Sequence, residues 1–297
     1  AIRDKKSVIA VYIDFTKAFD SVCHPKLLQK LESYGICGNL LKWIECFLSG
    51  RTQQTRVGCK LSSFSTVSSR VVQGSVLGPL LFLLFINDIA SLFGSSCTCK
   101  LFADDVKLYM TIDSNISNQS LPSLQDKLVE LTEWCQKWQL QISEKKCASM
   151  FVNSPREKMD MSLQLCNFTL PILSSVRDLG GIIDDKLNFN AHINKIVSSA
   201  FTRSNLIFKC FTSRNASILL RAFNTYVRPV LEYASCVWSP YYKKAVDHIE
   251  SVQRKFTKRL PGYAQFSYAD RLRKLDLESL AVRRLKSDLI CTYKILF

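Results

Sequence analysis

The sequence is short of acid, of helix breakers and of long apolar runs. Of 297 residues only 25 are Asp or Glu, against 40 Lys or Arg, and there are just 10 Gly and 8 Pro. With so few breakers, no segment of biased composition and no repeat at a fixed period, collagen-like, solenoid and low-complexity architectures are excluded. The longest apolar run, residues 80–86 with 76–79 before it, falls well short of the ~20 residues that span a membrane. A globular, intracellular chain without membrane contact is expected. No cationic-then-apolar leader opens the sequence, which starts at Ala1 without Met, so a fragment that has lost its natural N-terminus is expected. The 12 cysteines are scattered through apolar segments, and no second Cys or His pair at zinc spacing accompanies Cys97-Thr-Cys99. Reduced core thiols follow.

The basic surplus is uneven. Residues 1–195 carry 22 basic and 18 acidic groups, whereas residues 196–297 carry 18 and 7. A surplus concentrated in one region is the footprint of a polyanion partner, although a solvated basic face produces the same count.

Residues 7–13, SVIAVYI, read as a buried strand that stops at Asp14. Pro25 opens a helix with Leu27, Leu28, Leu31 and Tyr34 on one face, and Asn39 opens a second. Residues 53–57 and 64–72 suggest short strands, and residues 74–92 a mostly apolar helix. Two strand-like runs, 97–103 and 106–110, flank Asp104-Asp105 and predict a hairpin with those acids at its tip. Pro122 starts a long helix, and residues 147–152 and 163–173 return to strand character. From Ala191 onward the pattern is helical, broken near Ser213, Pro229, Ser239-Pro240 and Pro261-Gly262. The fold class is α+β: an α+β portion, residues 1–195, precedes an all-α basic portion, residues 196–297.

Asp14, Asp104 and Asp105 each lie at the edge of apolar β sequence, and they converge if the hairpin lies beside the first strand. Clustered carboxylates repel unless cations compensate, and an oxygen-only donor set with open positions suits Mg²⁺. Two such ions about 3.5–4 Å apart are the usual device for in-line displacement at phosphorus. In isolation a solvated turn and a strand terminator are the better account of these acids.

The surrounding residues decide between the two. VYIDFTKAFDSV (11–22), VVQGSVLGPLLFLLFINDI (71–89) and LFADDVKLYM (101–110) resemble, in order, the first three palm motifs of the reverse transcriptases of non-long-terminal-repeat, LINE-like retrotransposons. WCQKWQLQISEKKC (134–147) and DLGGIIDDKLNFNAHI (178–193) resemble the next two elements. The helical tail with RPVLEYASCVWSP (228–240) is similar to the region after the palm in jockey-like and CR1-like elements.

The resemblance implies a right-hand polymerase palm followed by a thumb-like helical region, acting as an RNA-directed DNA polymerase. It implies that Asp14, Asp104 and Asp105, with the carbonyl of Phe15, hold two Mg²⁺ ions, Mn²⁺ being a substitute. Phe19 would lie under the incoming sugar and exclude a 2′-hydroxyl, while Gln73 and Gly74 would face nucleotide and template. Lys146 would protonate the leaving pyrophosphate, a role suited to a desolvated ammonium. Leu179, Gly180, Gly181 and Ile182 would grip the primer end. Arg254, Lys255, Lys258 and Arg259 would present one cationic stripe to the nucleic-acid backbone.

Implied partners are an RNA template, a DNA primer, deoxynucleoside triphosphates and the element's own RNA in a ribonucleoprotein, cytoplasmic and nuclear. Two departures stand out: the family usually has Gly at Arg70 and Pro at Val72. The stretch also lacks the fingers and endonuclease that normally precede the palm, so a fragment inactive by itself is one expectation. A decayed or domesticated copy that binds nucleic acid without catalysis is the alternative.

Overall fold

The computed structural model describes residues 6–94, 97–112, 117–153 and 162–297, with the backbone alone for 117–121. It divides into two compact units, residues 1–174 and 175–297.

Four strands organise the first unit: β1 (Ser7–Ile13), β2 (Thr98–Phe102), β3 (Asp105–Ile112) and β4 (Ala148–Val152). They form one antiparallel sheet in the order β2-β3-β1-β4. The β-branched run of β1 earns the central place, since such side chains fit a pleated surface covered on both sides. Ile9, Val11 and Ile13 are buried in the main core, and the strand is paired along both edges, Ile13 opposite Val106 and Val8 opposite Val152.

Around the sheet lie α1 (His24–Ser33), α2 (Gly38–Leu48), α3 (Leu77–Ile86) and α4 (Ser117–Trp138). Leu27, Leu31, Phe82, Phe85, Leu124, Leu128 and Trp138 join the same core as β1. Lys30 lies on the Leu27–Leu31 stripe and is buried with it, only 3% exposed. Its ammonium donates to Phe85 O at 2.6 Å and to Asp88 Oδ1 at 2.5 Å. It also lies over the Trp138 and Trp134 rings, at 3.9 and 4.5 Å. Burial pulls its pKa down to about 8 against the favourable pull of Asp88.

Several elements differ from expectation. Residues 53–57 and 64–72 give two small ladders, Thr52–Gln53 with Ser65–Thr66 and Arg56–Val57 with Lys60–Leu61. The apolar run 74–92 is α3 followed by a 3-10 turn, Asn87–Leu92. The long helix begins at Ser117, before Pro122, which lies inside it. Residues 163–173 hold only a short hairpin, Gln164–Leu165 with Phe168–Thr169, because Cys166 at φ +53° turns the chain.

The second unit opens with a hairpin of β5 (Ser175–Asp178) and β6 (Gly181–Asp184). Seven helices follow: α5 (Asn190–Cys210), α6 (Ala216–Tyr226), α7 (Arg228–Glu232), α8 (Ser235–Trp238), α9 (Lys243–Lys258), α10 (Tyr268–Lys274) and α11 (Leu280–Leu296). The breaks near Ser213, Pro229, Ser239-Pro240 and Pro261-Gly262 fall where the sequence placed them, whereas those between α7 and α8 and between α10 and α11 were not expected. The boundary expected near residue 195 lies inside α5, and the compact units part instead at 174/175. The hairpin goes with the helices because Tyr233 Oη donates to Leu179 O at 3.0 Å and Ile182 N–H donates to His192 Nδ1 at 3.3 Å.

A separate core of Ile193, Ala200, Phe223, Leu231, Ile249 and Phe256 holds this unit. Its buried acid, Glu250, accepts from the first amides of α11, Leu280 N and Ala281 N, each at 3.2 Å, and from Tyr268 Oη. Burial and that carboxylate push the Tyr268 phenol above its ordinary pKa.

Candidate active site

The antiparallel pairing of β1 with β3 fixes the acids. Ile13 stands opposite Val106, so one further step of the register puts Asp14 opposite Asp105 at the same sheet edge. The hairpin tip sits one residue earlier than expected. Phe102 pairs with Asp105, and Ala103, at φ +52°, forms the two-residue turn with Asp104. A two-residue loop that follows strand twist requires positive φ, and the backbone meets that demand at Ala103. Asp105 is thereby the first residue of β3, and Asp104 belongs to the turn. All three carboxylates are partly exposed.

Asp14 is anchored by its backbone. Its carbonyl accepts from Ser143 N at 2.9 Å, and Thr16 N donates to Gln141 O at 2.7 Å. Phe15 is buried and bridges to Ile142. The Lys146 ammonium lies 3.2 Å from Asp14 Oδ1 and 3.4 Å from Oδ2. Lys146 is 64% exposed, since it ends a single 3-10 turn on the surface, so the desolvation that would suit an acid role is not met in this state. Below Asp14 the buried Cys147 Sγ accepts its N–H at 3.4 Å, and burial raises that thiol to about 11.

The second expected element lies against the first. Phe19 stacks on Phe82, centroids 4.2 Å apart. Gln73 Nε2 donates to Asp20 Oδ1 at 3.0 Å, and Arg70 Nη1 lies 4.0 Å from the same oxygen. Gly74 has φ +81° with nothing near a would-be Cβ. At Gly78 a Cβ would meet Val72 O at 2.5 Å, so only glycine permits that approach. Arg70 takes φ +91°, a conformation glycine adopts without strain, although its amide bonds Val22 O at 2.8 Å and its carbonyl meets His24 Nε2 at 2.7 Å. A cavity of about 200 Å³ beside Gln73 is lined by Arg70, Arg51 and His24. Asp20 and Arg51 escaped the sequence reading: Asp20 sits inside the first motif, but nothing in the sequence pairs it with Gln73.

In the helical unit, Leu179 (φ +43°) and Gly180 (φ +88°) turn the β5–β6 hairpin. Leu179, Gly180, Gly181 and Ile182 thus sit together at its tip, held by Tyr233 and His192. The expected stripe on α9 divides. Arg254 turns to Asp247 at 4.0 Å and the Tyr268 ring at 5.1 Å, whereas Lys255 lies over Phe201 at 4.8 Å and Arg259 over Phe208 at 4.1 Å. The 100° step between residues 254 and 255 sends neighbours to different sides.

A family model described as reverse transcriptase (RNA-dependent DNA polymerase) matches residues 1–183. The chain belongs to the reverse transcriptase family. Its similar proteins include the RNA-directed DNA polymerase from mobile element jockey of Drosophila funebris, 29% identical over 273 residues. That match covers 88% of this chain and 29% of the relative. The probable RNA-directed DNA polymerase from transposon BS of Drosophila melanogaster is 26% identical, over 86% of this chain and 29% of the relative. This reverse transcriptase chain therefore spans less than a third of those relatives' length.

Among solved structures, telomerase from Candida tropicalis in complex with a TWJ fragment of telomeric RNA aligns over 92% of this chain and 41% of its own. The TM-score is 0.52 at 10% identity. That likeness is one of fold: the right-hand polymerase arrangement of an antiparallel sheet with helices, followed by a helical region.

Reverse transcriptases generally use divalent metal ions, and the donors here fit them. Carboxylate oxygens on partly exposed strand ends suit a hard cation whose shell water completes. Among the described residues no three His, Cys, Asp or Glu side chains are gathered closely enough to hold an ion. The register aligns the acids along one edge without closing them into a cage. Among the described residues no helix is long and apolar enough to cross a membrane.

Proposed function

We propose that this chain is the palm and thumb of an RNA-directed DNA polymerase encoded by a non-long-terminal-repeat retrotransposon. The observation that carries the reading is the β1–β3 register, which brings Asp14 level with Asp105 and beside the Asp104 turn on one edge of a rigid apolar sheet. Asp14, Asp104 and Asp105 would hold two Mg²⁺ ions, with the Phe15 carbonyl as a further donor. When bound, such ions acidify a primer 3′-hydroxyl and stabilise departing pyrophosphate.

The chain's own residues chiefly position the reactants. Phe19, braced by Phe82, lies where a sugar would rest and discriminates against a 2′-hydroxyl. Gln73, held by Asp20, faces nucleotide and template, and Arg51 and Arg70 offer guanidiniums to phosphate in the adjoining cavity. Lys146 moves from its pairing with Asp14 to give a proton to the leaving group. Leu179, Gly180, Gly181 and Ile182 hold the primer terminus, and Arg254, Lys255, Lys258 and Arg259 the nucleic-acid backbone. An RNA template, a DNA primer and deoxynucleoside triphosphates are the substrates. The element's own RNA would be the partner in a ribonucleoprotein, cytoplasmic and nuclear.

Primer extension on poly-rA/oligo-dT with Mg²⁺, run on this chain and on the full-length parent, tests the reading. Template-dependent synthesis by the parent is expected. A parent that binds the substrate but adds no nucleotide overturns it.

A further inference from the structure

Helices α5 and α9 lie side by side and run in the same direction. Ile193 and Ala245 share one cavity near their N-terminal ends, while Phe208 meets Phe256, centroids 4.8 Å apart, near their C-terminal ends. Two cavities mark the seam. The first, about 750 Å³, is lined by Asn190, Asn194, Tyr242, Lys244 and His248, with Asp247 its one acid. The second, about 410 Å³, is lined by Phe201, Asn205, Lys255, Lys258 and Arg259.

Counting 100° per residue, Asn190, Asn194, Phe201 and Asn205 fall on one face of α5. Lys244, His248, Lys255 and Arg259 fall on one face of α9. The cavities therefore lie along one seam between the two helices. From Lys244 to Arg259 it runs about 22 Å at ~1.5 Å per residue.

Its chemistry is specific in kind. Tyr241 and Tyr242 stack on each other, centroids 4.3 Å apart, yet remain 83% and 68% exposed at the mouth. Two large rings left in water beside Lys243 and Lys244 bury nothing in the protein's own core. At the far end Arg259 is held in place by Asn205 Oδ1 at 2.6 Å and by the Phe208 ring at 4.1 Å. That hydrogen bond uses one of the five N–H donors of the guanidinium. Cations at helical spacing, aromatic faces at the mouth and amides between them match what binds unpaired bases and their phosphates. A paired duplex presents no free base face to a tyrosine.

We infer that the α5–α9 groove binds a single-stranded stretch of nucleic acid, bases stacked at Tyr241–Tyr242 and phosphates along Lys255, Lys258 and Arg259. This rests on the nucleic-acid reading of the helical unit and names a single strand as the ligand of these cations. It needs no catalysis.

Fluorescence anisotropy of the full 297-residue chain with labelled rU8, dT8 and a 12-base-pair duplex tests it. Either single strand should bind more tightly than the duplex, and the RNA and DNA arms show which sugar is preferred. Y242A should weaken single-strand binding about tenfold or more, and Y242W should restore it. Neutralising K255Q, K258Q and R259Q together should reduce the salt slope by about 2, at ~0.7 per phosphate contact. R273Q, outside the groove, should change nothing. Duplex preferred over both single strands, or wild-type affinity in Y242A, overturns the inference while leaving the nucleic-acid reading intact. Binding of none of the three overturns both.

Discussion

The two units solve different problems with the same twenty side chains. In the first, three acids sit at the ends of strands whose interiors are mostly apolar, so the sheet fixes where they stand. In the second, the polar positions recur along two helices, and each makes a modest contact. A reaction at one phosphorus atom tolerates little misplacement. Binding along a strand tolerates much, because its energy is a sum of similar terms. Short dense motifs and a diffuse basic tail are the sequence signatures of that difference.

The contrast breaks most visibly at Asp105. Asp105→Asn, or Asp104→Asn, in the full-length parent should cut Mg²⁺-dependent extension on the order of 10²–10³-fold or more without changing oligonucleotide affinity; extension near wild type sinks the metal assignment. Next, Glu250→Ala in the helical unit should lower unfolding stability by about 3 kcal/mol, since two amides and a phenol lose their acceptor. Urea denaturation measures it, and an unchanged midpoint would deny the network any weight.

Phe19→Val should shift ribonucleotide against deoxynucleotide incorporation by roughly 1–3 kcal/mol, or 10- to 200-fold; an unchanged ratio reduces Phe19 to a packing partner of Phe82. Lys30 sharpens the comparison through pH. Its pKa falls from 10.5 to about 8 on folding, so between those values the unfolded chain binds the extra proton. Stability of the first unit should therefore rise with pH across that window, by at most about 1.4 kcal/mol per unit, and Lys30→Met should abolish the rise. The smallest effect is expected at Arg70. Arg70→Gly relieves a positive φ and should stabilise by about 1 kcal/mol or less, offset by the exposed contacts to Asp20 and Gln53; a loss of stability would show that those contacts outweigh the strain.

Much of this was legible. The strand ending at Asp14, the hairpin at residues 97–110 and four of the helix breaks follow from apolar period and breaker placement, and the motif order pointed to the family. What was hidden depends on three dimensions. A turn's one-residue offset is set by which residue accepts positive φ, and Ala103 carries no such mark. Lys30 sits on a leucine stripe like any snorkelling lysine, and only Trp134 and Trp138, a hundred residues away, reveal that it is enclosed. Lys146, beside Glu144 and Lys145, reads from its neighbours as a solvated charge, and only the fold brings it to Asp14. The division of the α9 cations required α5 and α10 in place.

Cys147 lies directly beneath Asp14, with a thiol held near pKa 11. At neutral pH it stays protonated and unreactive toward alkylating reagents, whereas Cys37, Cys46, Cys59, Cys166, Cys210 and Cys236 are exposed. A chain whose exposed thiols have been blocked or replaced thus carries a built-in clock. Any slow labelling that remains at Cys147 counts how often the strand end bearing Asp14 opens to solvent.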